Sequence, residues 1–334
     1  MRLHNTAVIG CGIWGKNVAR NFYNLNALHT ICELDEENRR NLKQQYPDVN
    51  IISDCSEIFN NPDIDSAAVV TPSHTHYRLV KQALEAGKHV YVEKPISTSA
   101  AEAKALADTA AARGLILMTG HLLMYHPAVN RLKMLINDGV LGDVRYIQSD
   151  RLNINCFKND RSVMWDLAPH DVSMISCILE REPLRVLAAS GVSVEGSSIM
   201  DVTHISIEYE DGITAHISDS WIHPVKRVNL LVRGTKASIV FDDTLCENKL
   251  QIFENTSPKT ARTEIIDYID IEPLKLECQN FLSCIETGRQ PRSGGYNGFN
   301  TVKILEEAEK IMLGDKASML DKCEFALSRS SRKF

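Results

Sequence analysis

The stretch Gly10-Cys11-Gly12-Ile13-Trp14-Gly15 ends the first apolar run, Thr6 to Gly10, and opens the first helical stretch, Gly15 to Leu25. A G-x-G-x-x-G pattern in that position narrows the fold more than any other feature of the chain. Gly10 permits a tight turn, Gly12 lets a pyrophosphate approach the backbone, and Gly15 lets the helix pack closely on the strand. The helix N-terminus adds unpaired N–H groups and the positive end of a dipole. Ile13 and Trp14 complete the loop and are expected beside the same ligand. Glycines alone would also suit a plain strand-to-helix turn. Glu33 shifts the balance, because it stands 21 positions after Gly12, at the end of the second predicted strand, where a carboxylate accepts hydrogen bonds from an adenosine ribose. The pair of signals predicts NAD as cofactor. Asp35 is read as the N-cap of the following helix.

The rest of the first 120 residues repeats the alternation. Leu28 to Glu33, Ala67 to Thr71, His89 to Glu93 and Leu115 to Thr119 are apolar runs too continuous for a half-solvated sheet, as in parallel strands covered on both faces. Helical patterns fit between them at Glu36 to Tyr46, Tyr77 to Ala86 and Ala100 to Arg113. After Gly120 the order changes to a helix from Pro127 to Asn137, a strand from Val144 to Ser149 and a helix from Asp166 to Leu179. Six alternating strands follow between Arg185 and Glu254, then helices at Leu274 to Glu286 and Asn297 to Leu313. The predicted fold is an α/β Rossmann dinucleotide-binding domain, residues 1–120, followed by an α+β domain with a large, mostly antiparallel open sheet, residues 121–314, and a tail, 315–334.

The 43 acidic and 37 basic residues give a net charge of −6, so no general basic field draws the chain to nucleic acid. It opens without the apolar core of a secretory signal and lacks the roughly 18 consecutive apolar residues of a membrane span, so a cytoplasmic protein is expected. The nine cysteines form no C-x-x-C pair and no zinc-like spacing, and are read as reduced, buried apolar side chains. No metal is predicted.

Three further segments carry a family resemblance. Thr71-Pro72-Ser73-His74-Thr75-His76, then Ala86-Gly87-Lys88-His89-Val90-Tyr91-Val92-Glu93-Lys94-Pro95, and Asp166-Leu167-Ala168-Pro169-His170-Asp171, in this order behind the glycine loop, resemble the Gfo/Idh/MocA oxidoreductases. The resemblance implies a first domain binding NAD or NADP and a second serving substrate binding and oligomer contacts, with Lys94 reaching both nicotinamide and substrate. It places Thr71, Pro72, His76 and Glu93 near the cofactor, leaves His74 at the surface, and matches His170 to the family's catalytic histidine. Asp166 and His170 are four apart and share one helix face, so carboxylate and imidazole address one alcohol. Lys94 and His170 are the two candidates for the base, with Asp166 beside them.

The match departs from the family at Arg161-Ser162-Val163-Met164-Trp165, where glycines are usual, and at Gly120 to Pro127, where an arginine is common. Tyr125, Arg151, Asn153 and Trp165 are the candidate substrate contacts from these regions. The form Trp165-Asp166-Leu167-Ala168-Pro169-His170-Asp171 resembles members acting on nucleotide sugars. It implies oxidation of the 3-hydroxyl of a UDP-N-acetylhexosamine or its uronate, by a homodimer or homotetramer. An inositol or free-sugar dehydrogenase and an NAD-recycling glycoside hydrolase of the same fold are the alternatives.

Overall fold

The computed structural model describes residues 4–154, 161–194, 199–254 and 263–330, the side chains of the last span only to residue 314. The chain divides into two compact units, Met1–Leu135 with Val172–Glu180 and Asp267–Val302, and Ile136–Asp171 with Arg181–Ile266 and Lys303–Phe334. The sequence led us to expect one division after residue 120; the compact units interleave along the chain. Late segments return to the first unit because their apolar faces complete its core.

The first unit is built from β1 (Thr6–Ile9), α1 (Gly15–Asn24), β2 (Leu28–Cys32), α2 (Glu36–Gln45), β3 (Asn50–Ile52), α3 (Ser56–Asn60), β4 (Ser66–Val69), α4 (His76–Glu85), β5 (His89–Glu93), α5 (Ala100–Arg113), β6 (Leu117–Gly120) and α6 (Pro127–Asn137). Its six strands are parallel in the order β3-β2-β1-β4-β5-β6. The order reverses between β1 and β4, and ligands of such sheets bind in the crevice at the carboxyl ends of that pair. The continuous apolar runs are covered on both sides, as β1 shows with all four residues buried. β3 and α3 were not legible in the sequence; β3 has only three residues, none buried.

Along the rest of the chain run β7 (Val144–Ile154), α7 (Val163–Leu179), β8 (Arg185–Val192), β9 (Val202–Glu208), β10 (Thr214–Ser220), β11 (Ile222–Gly234), β12 (Ala237–Asp242), β13 (Leu250–Glu254), β14 (Thr263–Ile265), α8 (Pro273–Thr287) and α9 (Gly295–Ser330). The eight strands order as β14-β13-β12-β11-β7-β10-β9-β8, antiparallel throughout except for β7 beside β10. Alternation buries Ile205, Ile207, Ala215, Ile217, Leu230 and Val232 on one face, while Ser206, His216, Gln148 and Leu231 on the other stay half-exposed. α8 belongs to the first unit, where Phe281 meets Phe22 of α1 edge-on at 6.2 Å. α9 continues to Ser330 where a tail was expected after 314, because Ala, Leu, Lys and Glu recur through that segment and each favours helix.

The seven described cysteines are free thiols; five are buried, but Cys55 is half-buried and Cys246 exposed, against the expectation that all are buried. Cys156 and the side chain of Cys323 lie outside the described residues. Among the described residues no helix is long and apolar enough to cross a membrane.

Candidate active site

The glycine loop lies where the strand order reverses. Gly10 has φ +87°, and a Cβ there would stand 2.7 Å from the Val70 carbonyl oxygen; one on Gly15 would stand 2.2 Å from the Gly10 carbonyl oxygen. Neither position admits a side chain. A Cβ on Gly12 would meet nothing within 4 Å, so this residue borders open space. No side chain caps α1 and its first turn holds no acidic residue, whereas Asp35 caps α2 by accepting the Asn38 N–H at 2.7 Å. The α1 N-terminus is thus left to an anion from outside. Burial, then Glu33, pushes the Cys11 thiol up to about 12, so it adds no charge against a diphosphate.

Glu33 closes the loop from β2. Its Oε2 accepts the Cys11 N–H at 2.9 Å and the Asn38 amide at 3.1 Å, and its Oε1 accepts the Asp35 N–H at 3.1 Å. A carboxylate offers about four acceptor sites, so roughly one remains for a ribose hydroxyl. The Arg39 guanidinium, the nearby group able to meet a 2′-phosphate, donates instead to the Glu33 and Leu34 carbonyls, at 3.0 and 2.6 Å. These residues fit NAD. A 2′-phosphate would face Glu33 at a cost of about 1–4 kcal/mol between bulk-water and surface dielectric, so NAD should bind about fivefold to nearly a thousandfold more tightly than NADP. Titrating both cofactors against the protein and Glu33→Gln checks this; equal affinities for the native protein would contradict it.

The end of β5 brings Glu93 and Lys94 to the same edge of the sheet. Glu93 Oε1 accepts the Trp14 indole N–H at 2.6 Å, and Oε2 accepts the Lys94 backbone N–H at 3.2 Å. Trp14 is thereby turned onto β5, while Ile13 is 95% exposed. Thr71 is half-buried and bonds Thr75 through their hydroxyls at 2.6 Å; Pro72 and His74 are exposed. His76 is not at the surface of this site. It is buried, with Nδ1 2.8 Å from the Pro95 carbonyl and Nε2 2.7 Å from the Thr71 carbonyl. It ties the loop after β4 to the loop after β5.

His121, directly after β6, was missed. Its ring is buried, neither nitrogen has a hydrogen-bond partner among the described residues, and burial, then the Lys94 charge, pushes it down to about 3. A neutral imidazole thus lies within electrostatic reach of Lys94. Its place one residue past a strand that ends at the binding edge was the available signal.

In the second unit, α7 is buried at Val163, Met164, Trp165, Ala168, Pro169 and Asp171, while Asp166, Leu167 and His170 keep partial exposure. The predicted polar pair therefore shares the open face of the helix. Asp171 anchors the other face, accepting Ser149 Oγ at 2.8 Å and two Arg151 bonds, both at 2.9 Å. Arg151 is thus committed to a buried partner and is not a spare cation for a substrate diphosphate. Asp219, on β10 beside Arg151, is fully buried, and burial, then Asp171, pushes its carboxyl well above the ordinary carboxylate range. Trp165 donates to Glu309 Oε1 at 2.9 Å and is 5% exposed, so it ties α7 to α9. In the first unit, the Tyr125 hydroxyl lies 3.0 Å from Asn280 Oδ1 and 3.1 Å from Ser293 Oγ, a core position rather than a substrate contact. Asn153 stays half-buried near the end of β7.

Residues 4–121 match the model of the oxidoreductase family with an NAD-binding Rossmann fold, and residues 129–240 match the GFO/IDH/MocA C-terminal domain. The chain is 26% identical over 308 residues to the UDP-N-acetylglucosamine 3-dehydrogenase of Acidithiobacillus ferrooxidans, covering 88% of this chain and 92% of that protein. It is 27% identical over 248 residues to the NAD-dependent scyllo-inositol 2-dehydrogenase of Bacillus subtilis, covering 70% and 71%. The solved structure of the Acidithiobacillus enzyme superposes with a TM-score of 0.80 at 24% identity, over 92% of this chain and 97% of that one, a likeness of fold. With both family models matched in order along more than half its length, the chain belongs to the Gfo/Idh/MocA family of oxidoreductases.

Proposed function

We infer that the protein is an NAD-dependent dehydrogenase acting on a CH–OH group of a sugar, and that its substrate is a UDP-linked N-acetylhexosamine or its uronate, oxidised at the 3-hydroxyl. The observation that carries the substrate class is the similarity over 88% of the chain to a relative named for that reaction. NAD, which the glycine loop and Glu33 would hold, would supply the acceptor for the hydride of the carbinol carbon. His170 takes the hydroxyl proton as general base, a role that contributes about 10²- to 10⁴-fold. Asp166, one turn earlier on the same open face of α7, orients the imidazole. The Lys94 ammonium stabilises the developing alkoxide, and the backbone of Lys94 is held by Glu93. The active species is a homodimer or homotetramer.

Similarity to the inositol dehydrogenase supports a second reading, a free polyol or sugar as substrate. The two separate when the enzyme and NAD are incubated in parallel with UDP-N-acetylglucosamine, its uronate, inositol and glucose, following NADH absorbance and product mass. Hydroxylamine traps a ketone whose equilibrium favours the alcohol. NADH formed with a nucleotide sugar, with or without the trap, is the expected result; reaction with free polyols alone assigns the second reading.

A further inference from the structure

Two residues before Glu93, β5 sends Tyr91 into the core of the first unit. Its hydroxyl lies 2.9 Å from Glu93 Oε1 and 3.2 Å from Glu277 Oε2 on α8. Glu277 is fully buried and its Oε1 has no hydrogen-bond partner among the described residues. Phe22 and Phe281 stand edge-on to the Tyr91 ring at 6.4 and 6.1 Å. Gly120 leaves room for the Tyr91–Glu93 bond: a Cβ there would stand 2.7 Å from the hydroxyl and 2.9 Å from Glu93 Oε1.

A phenol carries one proton and cannot donate to two carboxylates. Glu93 collects two other donors, the Trp14 indole and the Lys94 N–H, whereas Glu277 has only the phenol. An isolated buried carboxylate is far costlier than a neutral acid. The negative charge therefore rests on Glu93. Glu277 carries the proton, donates it to the Tyr91 oxygen, and Tyr91 donates in turn to Glu93. Burial, then the Glu93 charge, holds Glu277 well above the carboxylate range. Burial also raises Glu93, but Trp14, Tyr91 and Lys94 pull it back. The other titratable groups that feel Glu277, Cys278 and Tyr125, are kept neutral, chiefly by burial.

We propose that Glu277 is a positioning residue for the Glu93-Lys94-Pro95 edge: a neutral carboxylic acid that, through Tyr91, fixes the carboxylate on which Trp14 and the Lys94 backbone hang. Its kinetic consequence rests on the assignment of Lys94 to the reaction; its protonation does not. At pH 8 the infrared difference spectrum between the native protein and Glu277→Gln, a near-isostere that keeps a donor, should show the carbonyl stretch of a protonated carboxylic acid lost in the variant. Glu277→Leu should lower kcat about tenfold with KM for NAD within about threefold, and Glu277→Gln should restore most of the loss, because it still donates to Tyr91. A residue that merely fills space would lower Tm in both variants and leave the kcat of folded protein unchanged. Absence of the acid band, or native kcat in Glu277→Leu, overturns the proposal. If no alcohol substrate is found, the infrared band still decides the state of Glu277, so the two failures are distinguishable.

Discussion

Lys94→Met should abolish turnover while NAD affinity stays within a few-fold of the native value. Methionine keeps the length and apolar stem of lysine, and the backbone N–H that Glu93 Oε2 accepts is unchanged. What disappears is the ammonium at the carboxyl end of β5. Without it an alkoxide forming at the substrate has no cation from this edge, and losses on the scale of 10²- to 10⁴-fold are usual when a group acting on the reacting proton or its charge is removed. In the proposed site, adenosine and diphosphate binding fall to Glu33, the glycine loop and the uncapped start of α1, whose side chains and backbone the substitution leaves in place. Fluorescence titration with NADH and single-turnover measurement of NADH formation separate the two effects. A variant with near-native rate would remove Lys94 from the mechanism.

Acid should destabilise the protein through His121. Its folded pKa of about 3 lies below the ordinary histidine value of 6.5, so the folded state prefers the neutral ring while the unfolded chain takes up a proton below 6.5. Stability from this site is therefore complete above pH 6.5 and is lost as pH falls toward 3. Each pH unit inside that window is worth about 1.4 kcal/mol, so lowering pH from 6.5 to 4 should remove about 3 kcal/mol. His121→Phe, similar in size and without a titrating group, should lack this component. Denaturant unfolding of both proteins at pH 7, 5.5 and 4 yields a stability difference in which the carboxylates common to both largely cancel. A difference independent of pH would mean that the native protein admits a proton or water to the ring. In the native range, neutral His121 adds no second positive charge beside Lys94.

Much of the candidate site was legible in the chain because its chemistry is local. The glycine loop, Glu33 and the Asp35 cap are set by backbone geometry over a few residues, and a helical repeat is enough to place Asp166 and His170 on one face. The continuous apolar runs specified strands buried on both sides, hence a parallel sheet, and a parallel sheet with this loop specifies where a dinucleotide lies. The fates of the other polar residues depended on partners that no local pattern names. Arg151 meets Asp171 20 residues on, Trp165 meets Glu309 144 residues on, and Tyr91 meets Glu277 186 residues on. A side chain able to bind substrate is equally able to satisfy a buried neighbour, and burial makes that second use obligatory wherever the fold brings the two together. Composition and spacing therefore determined the fold class and the cofactor edge, whereas tertiary packing alone decided which polar groups were consumed inside the core and which stayed available for chemistry.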